Sequence, residues 1–281
     1  MKNTITLPLI AIGLLSASMN FAQDLNKFET VYYSDPAQVE MPDNSDVKLE
    51  LKNVVAQKDN AKFGIKVMND GADVIIFKPS ESSFKYAFGE FHPDEKEMII
   101  APGKSKMKTF NALGSDQFRQ EQFSYETGGF YKVPVDGTVI QADDFQLPAS
   151  RNNMEAGNFK IELKSYKAST AEAKASFEVT YNGDKIALVN SANLSVRAKR
   201  NKSEDEVVFA NDNKKGDIEL MRKGDKIKFD AVFHIEGRIV DMQFATMYII
   251  WNNTFVESEA FPMEAGSIPC SWDPGLTNAK K

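Results

Sequence analysis

Residues 47–77, VKLELKNVVAQKDNAKFGIKVMNDGADVIIF, lie without a gap over residues 159–189, FKIELKSYKASTAEAKASFEVTYNGDKIALV, when the chain is slid by 112 positions. Lys48, Glu50, Leu51, Lys52, Ala56, Ala61, Lys62, Val67 and Gly71 recur as Lys160, Glu162, Leu163, Lys164, Ala168, Ala173, Lys174, Val179 and Gly183. Nine identities in 31 positions stand well above the roughly two that average residue usage gives. The apolar positions recur as well: Leu49 with Ile161, Ile65 with Phe177, Val74 with Ile186. A second match, TVIQADDF at 138–145 over TFVESEAF at 254–261, is followed in both places by MEAG. Just ahead of it stand VDGT (135–138) and WNNT (251–254), whose central residues accept positive φ and predict a closing β-hairpin in each copy. The chain encodes one unit twice, and the restart at Phe159 marks a second domain.

Within a copy the apolar period is two. Val47, Leu49 and Leu51 alternate with Lys48, Glu50 and Lys52, and Ile227, Phe229, Ala231, Phe233 and Ile235 repeat the pattern late in the chain. That is the signature of strands with one dry and one wet face. Phe84, Tyr86 and Phe88 alternate in the same way and are assigned to the core, whereas no pattern selects Trp251 or Trp272. Turn signals such as NDG (69–71), APG (101–103) and NG (182–183) arrive every dozen residues or so. Short alternating strands at that spacing predict an all-β fold of two tandem antiparallel β-sandwiches.

The ends frame these domains. Lys2, the apolar run from Ile5 to Leu15 and the small residues ending at Ala22 have the form of a secretory signal peptide over residues 1–22. The Gln23 left at the new end resembles exported proteins of Bacteroidetes-type Gram-negative bacteria. Residues 23–46 are expected as a linker or edge segment, 47–157 as domain 1, 159–266 as domain 2 and 267–281 as an irregular tail, with the polar stretch 147–158 as the joint. Removing residues 1–22 takes the formal charge from −6 to −7, because Lys2 is their sole charge. An acidic chain repels phosphate backbones, which argues against nucleic acid and anionic lipid as main partners. No later stretch approaches the roughly 20 apolar residues of a membrane span. With one cysteine, Cys270, no disulfide forms within the chain. The bland expectation is a small buried apolar residue, and the sharper one an intermolecular disulfide or reactive thiol.

A strand ending in V-x-N-x-G, then a strand and a P-G turn before another, is carried by Val67, Asn69, Gly71, Pro102 and Gly103 in the first copy and by Val179, Asn182, Gly183 and Gly224 in the second. Over residues 45–266 the chain thereby resembles the tandem immunoglobulin-like domains of secreted bacterial proteins, including the cell-adhesion-related bacterial type. The resemblance implies immunoglobulin-like sandwiches and a role in binding, spacing or adhesion. The second copy lacks the proline, and neither carries the inter-sheet cysteine pair of antibody domains.

Catalytic chemistry has little to stand on. His92 lies in a charged turn and His234 on the wet side of an alternating strand, with no G-x-S-x-G beside either. No HxH, HExxH or CxxC spacing points to a metal. In NDNKKGD (211–217) two lysines oppose a calcium loop and the bidentate glutamate is missing. RAKRNK (197–202), cancelled at once by SEDE, is read as charge on an edge strand. No catalytic residue, metal or cofactor is expected.

The first copy departs from the second between Phe110 and Thr138, where aromatics and glutamines crowd around Gly128-Gly129. Tyr125, Phe130 and Tyr131 are the candidate platform for a sugar ring or a partner's apolar side chain, with Gln117, Arg119 and Gln122 as its hydrogen-bonding rim. The competing reading is core aromatics beside an ordinary hairpin. The expectation is a periplasmic or extracellular, non-catalytic binding or structural module with a protein or glycan partner. The alternative is an accessory domain or subunit of a hydrolytic or envelope assembly that offers a sheet edge.

Overall fold

The computed structural model describes residues 25–36, 38–213 and 218–280, so the expected signal peptide lies outside the described residues. The fold is all-β with antiparallel pairing throughout, arranged as sandwiches. In the first half, β1 (Val31–Tyr32) and β2 (Val39–Met41) pair along one edge of β3 (Asn44–Ala56), which pairs β4 (Asn60–Asn69). The facing layer holds β5 (Val74–Phe77), β6 (Ser83–Tyr86), β7 (Gly89–Phe91) and β8 (Met98–Ile100). Then β9 (Lys104–Leu113) closes the first sheet against β4, while β10 (Gln122–Glu126) pairs β6 and β11 (Phe130–Val133) pairs β5. Alternation does its expected work: Val47, Leu49 and Leu51 are buried while Lys48, Glu50 and Lys52 face outward. Phe84 and Tyr86 enter the core, and Phe88 packs partly buried against it.

The facing layer is two ladders side by side, and the chain crosses between them at Pro79–Glu81 and again at 127–129. The crossing is bridged where Lys78 N donates to Gly129 O at 2.9 Å. Glycine is required here. Gly129 sits at φ +82°, and a Cβ on it would stand 2.3 Å from Lys78 O; one on Gly128 would stand 2.2 Å from Glu81 O. The Gly-Gly pair admits two backbones at contact distance and does not close a hairpin.

The second half repeats this plan. It contains β12 (Thr138–Val139), β13 (Phe145–Leu147), β14 (Asn153–Ala156), β15 (Phe159–Ala168), β16 (Glu172–Tyr181), β17 (Ile186–Val189), β18 (Ser195–Lys199), β19 (Glu206–Ala210), β20 (Glu219–Met221), β21 (Lys226–His234), β22 (Met247–Ile250) and β23 (Phe255–Ser258). Its ladders run β14-β15-β16-β21, β13-β22-β18-β19 and β12-β23-β17-β20. Trp251 is buried among Phe177 and Phe255. WNNT joins β22 of one ladder to β23 of another, so it is a break between ladders and not a hairpin.

The last segment does not stay with the second half. β24 (Phe261–Pro262) pairs β11, and β25 (Ser267–Ser271) pairs β10 over five residues from Gln122↔Ser271 to Glu126↔Ser267. A short helix, α1 (Pro274–Ala279), capped by Asp273, then packs on β1. The expected irregular tail is therefore two strand pieces and a helix, with Ile268 and Cys270 in the core of the first half. In the second half β12 and β13 hold the same places: Phe145 lies opposite Ile249 as Ile268 lies opposite Tyr125. Hence TVIQADDF corresponds in space to the segment beginning at Phe261, not to TFVESEAF. The stretch 147–158 is no joint, because β13 and β14 both belong to the second half. The chain crosses from one half to the other at 134–137 and back at 259–260.

An apolar seam fills the junction. Val74, Ile76 and Val133 from the first half meet Leu188, Leu220 and Val256 from the second, all buried. Ser258 Oγ donates to Pro134 O at 2.8 Å, and Arg222 grips Glu97 through two bonds of 2.7 and 3.0 Å. At about 1.5–3 kcal/mol for each fully buried aliphatic chain, such a seam resists relative rotation of the halves.

Two glycine substitutions separate backbone conformation from close approach. Gly103→Ala, at φ +68° with nothing within 4 Å of the added carbon, is expected to cost about 1–2 kcal/mol in urea unfolding. Gly129→Ala adds a collision with Lys78 O and is expected to cost more than that by at least ~1 kcal/mol.

Candidate functional site

The expected platform is not assembled. Tyr125 and Phe130 are core residues: Tyr125 packs edge-on to Phe63 and Phe84 and donates its hydroxyl to Ser82 Oγ at 2.6 Å, and Phe130 stacks on Phe77 at 4.0 Å. Burial raises the Tyr125 phenol well above its ordinary range. Tyr131 is half-buried at the junction, its hydroxyl donating to Glu81 at 2.5 Å with Lys78 Nζ 4.2 Å from its ring centre. Arg119 is not a rim residue, since its guanidinium donates to Phe28 O and Asn26 Oδ1 and ties that segment down. Gln117 and Gln122 are exposed, with no exposed aromatic platform between them. The alternation Phe123, Tyr125, Thr127, all buried, was the signal for core.

Both histidines are bonded to neighbouring groups. The ring of His92 bonds Ser82 O at 2.8 Å, and that of His234 faces Asp212 at 3.1 Å and Glu172 at 3.3 Å on the exposed side of β21. Asn211, from the suspected calcium loop, is buried and satisfies the backbone of Ser191, Asn213 and Val232. Residues 214–217 of that loop lie outside the described residues. Among the described residues no cluster of His, Cys, Asp or Glu is arranged to hold a metal ion, and no helix is long and apolar enough to cross a membrane. RAKRNK is not on an edge: Arg197 and Lys199 lie on β18, flanked by β19 and β22.

The recurring K-x-E-x-K motif also yields no site. Glu162 takes Lys160 at 2.6 Å and Lys164 at 2.8 Å, and Glu178 takes Lys164 at 3.0 Å and Lys228 at 3.2 Å. In the first half Glu50 takes Lys52 at 3.1 Å, and Lys48 takes Asp70 at 2.9 Å. Each outer face is thus a solvated lattice of paired charges. A cavity of about 500 Å³ beside it, floored by Phe177, Ile227 and Phe229, is rimmed by Lys164, Ser176 and Asp230, which already bond within the lattice.

One aromatic side chain breaks the pattern. Phe244 is 81% exposed, the most exposed of the large apolar residues described. It stands on the loop 235–246 between β21 and β22, over a groove of about 530 Å³ lined by Tyr248, Ala198, Ala245, Thr246, Lys199, Asn201, Glu206 and Asp241. The loop is firmly seated. Ile235, Val240 and Met242 plug the core beneath it. Asn201 clamps it from β18's side: its N donates to Ile239 O, its Nδ2 to Gly237 O at 2.7 Å, and its Oδ1 accepts from Asp241 N at 3.1 Å. Asp241 O then takes both Phe244 N and Ala245 N, a tight turn that throws the Phe244 ring outward. The floor is held as well, with the Arg197 guanidinium 5.6 Å from the Tyr248 ring centre and bonded to Asp144 at 2.7 Å. A pre-formed aromatic face beside carboxylate, ammonium and hydroxyl groups can stack a ring and bond its polar rim.

In the first half the corresponding loop, 114–121 between β9 and β10, turns its aromatic inward. Phe118 is fully buried, 4.8 Å from Phe91 and 5.4 Å from Tyr86. The most exposed aromatic is therefore in the copy whose sequence looked plainer. No family model and no curated relative matches the chain. Solved structures to which it is distantly similar include the transglutaminase of red sea bream (8% identity, 78% of this chain, 31% of that one, TM-score 0.19). Others are the secreted serine protease VesC from Vibrio cholerae (10%, 81%, 51%, 0.20) and the N-terminal CBM22-1-CBM22-2 tandem domain from Paenibacillus barcinonensis Xyn10C (10%, 84%, 98%, 0.23). The chain spans about a third of the first and half of the second. Likeness at this level carries no argument about activity.

Two chemical outcomes follow from these environments. Burial pushes the Cys270 thiol up to about 12, so the native protein should react with a thiol reagent at pH 8 far more slowly than the urea-unfolded chain. Hydrogen bonds from Lys160 and then Lys164 hold Glu162 down at about 2. Its folded pKa is depressed, so its contribution to stability is complete above the unfolded value near ~4.3 and disappears as pH falls through about 2. A carboxyl NMR titration should place its midpoint there and return it toward the ordinary range in the Lys160→Ala/Lys164→Ala double variant.

Proposed function

We propose that the protein is an exported, non-catalytic binding module, built from immunoglobulin-like sandwiches of the secreted bacterial type, that recognises a glycan outside the cytoplasm through the Phe244 groove. The observation that carries this reading is an exposed aromatic ring held on a clamped loop above a polar groove. A lone exposed apolar side chain is ordinary on a protein surface; what supports the reading is that this ring is held by a clamped loop over a groove, where it can stack on the flat apolar face of a sugar. Asp241, Glu206 and Thr246 line the same groove with oxygen acceptors suited to hydroxyl groups. Export rests on the pattern of residues 2–22. The rigid junction makes the first half a mount for the second rather than an independent arm.

Soluble glycan arrays with Phe244→Ala test this. Retained fold with at least about a tenfold loss of affinity is expected, equivalent to ~1.4 kcal/mol. Leu113→Ala, another exposed apolar side chain on the first half, serves as control and should bind normally. Unchanged binding in Phe244→Ala, or capture of an envelope protein with no glycan bound at all, overturns the assignment.

A further inference from the structure

The edge formed by β10 and β11 is filled by a segment that arrives from the other half. β25 hydrogen-bonds β10 along five residues, β24 pairs β11 at Tyr131↔Pro262 and Lys132↔Phe261, and Ile268 and Cys270 are fully covered. Beyond the strand a lock secures the end. Thr277 Oγ1 accepts from Tyr32 N and Trp272 Nε1, each at 3.0 Å, Asp273 N donates to Tyr32 O, and Ser34 N donates to Ser271 O. This unit is joined to β23 by Glu259 and Ala260 alone. Nothing in the ladder or the lock depends on that covalent link.

We infer that the β10–β11 edge is a strand-binding site whose ligand is residues 261–280, and that it accepts this segment from a second copy of the chain as readily in kind as from its own. The second half shows that the slot is filled from outside the sandwich's own core strands. There β12 and β13 occupy the same place after the chain has crossed the junction at 134–137. In both halves a crossing delivers the final strand. Opening the two-residue link converts self-closure into exchange, giving a dimer in which every pairing of the closed chain is kept and each copy completes the other. Closure on the same chain is favoured at low concentration because the link confers a high effective concentration; exchange grows as protein concentration approaches it. The partner is defined chemically: an extended segment that turns Ile268 and Cys270 inward and carries the Trp272–Thr277 lock.

The full-length Gln122→Cys/Ser271→Cys variant reports the outcome directly, since both positions are exposed and directly opposed across β10 and β25. After refolding and oxidation, a non-reducing gel should show monomers at micromolar protein and a covalent dimer fraction that rises at millimolar protein. Deletion of Glu259 and Ala260 shortens the reach by about 7 Å and should render the folded protein dimeric at all concentrations. Monomers alone at every concentration in the first variant, or a shortened chain that stays monomeric, overturn the inference. The single variants Gln122→Cys and Ser271→Cys must give no covalent dimer; if they do, the band reports surface collision and the inference falls.

Discussion

A sandwich sheet cannot leave a long apolar edge open, because unpaired N–H and C=O groups beside buried side chains cost free energy that nothing else repays. In this protein the edge of β10 and β11 is paired by β25 and β24, which arrive from the second half. Ile268, Cys270 and Trp272 seal the core around Tyr33, Tyr86 and Phe123, Arg119 ties Asn26 and Phe28 to the same region, and Tyr32 bonds Thr277 there. The apolar seam at Val74, Val133, Leu188 and Val256 sits where the chain crosses in both directions. The two halves are thus interlocked by topology as well as by contact. Pairing strands so far apart in sequence also places the completion of the first half late in folding, since long loops must close before the pairing is rewarded.

Much of this architecture was legible. Period-two alternation gives the face of a residue, and it did so for Val47, Leu49, Phe84 and Tyr86. It cannot give the partner of a strand, because Ile268 and Cys270 alternate identically whether they line an independent tail or a distant ladder. The repeated MEAG shows the limit well. At 154–157 it forms most of β14, with Met154 and Ala156 buried, whereas at 263–266 it is the break between β24 and β25. The same four letters serve two roles because the neighbouring backbone decides between pairing and bending. Likewise Asn69, a buried turn residue bonded to Asp73 O and Ile100 O, is replaced at the corresponding register by Tyr181, since Val47 faces Asn69 as Phe159 faces Tyr181. The motif that carried the family resemblance is therefore not held in common by the two halves.

The candidate site was less legible, for a local reason. Val240 and Met242 point into the core, and continued alternation would send Phe244 after them. The bonds from Phe244 N and Ala245 N to Asp241 O interrupt that alternation and reverse the ring. A pattern of polarity does not encode such a turn, which depends on Asn201 gripping the loop from the turn after β18, 40 residues away. Conversely, the aromatic wealth of residues 118–131 invited a surface reading while its actual use is a cluster of contacts among Phe91, Phe118, Phe123 and Tyr125.

What the duplication retains most faithfully is the wet face: Lys48, Glu50 and Lys52 against Lys160, Glu162 and Lys164. Those charges pair with their neighbours in place, and exposed pairs of this kind contribute little to stability. Lysines at 106 and 108 on β9 and at 226 and 228 on β21 guard the outer edges of the same sheets against unwanted pairing. With faces and edges alike in the two copies, the difference between them lies in the loops. The loop between the ninth and tenth strands turns its phenylalanine in, and its counterpart turns one out. A duplicated fold can thus keep its frame constant and reverse one ring, because the turn of a loop, and not the alternation of a strand, sets where that ring points.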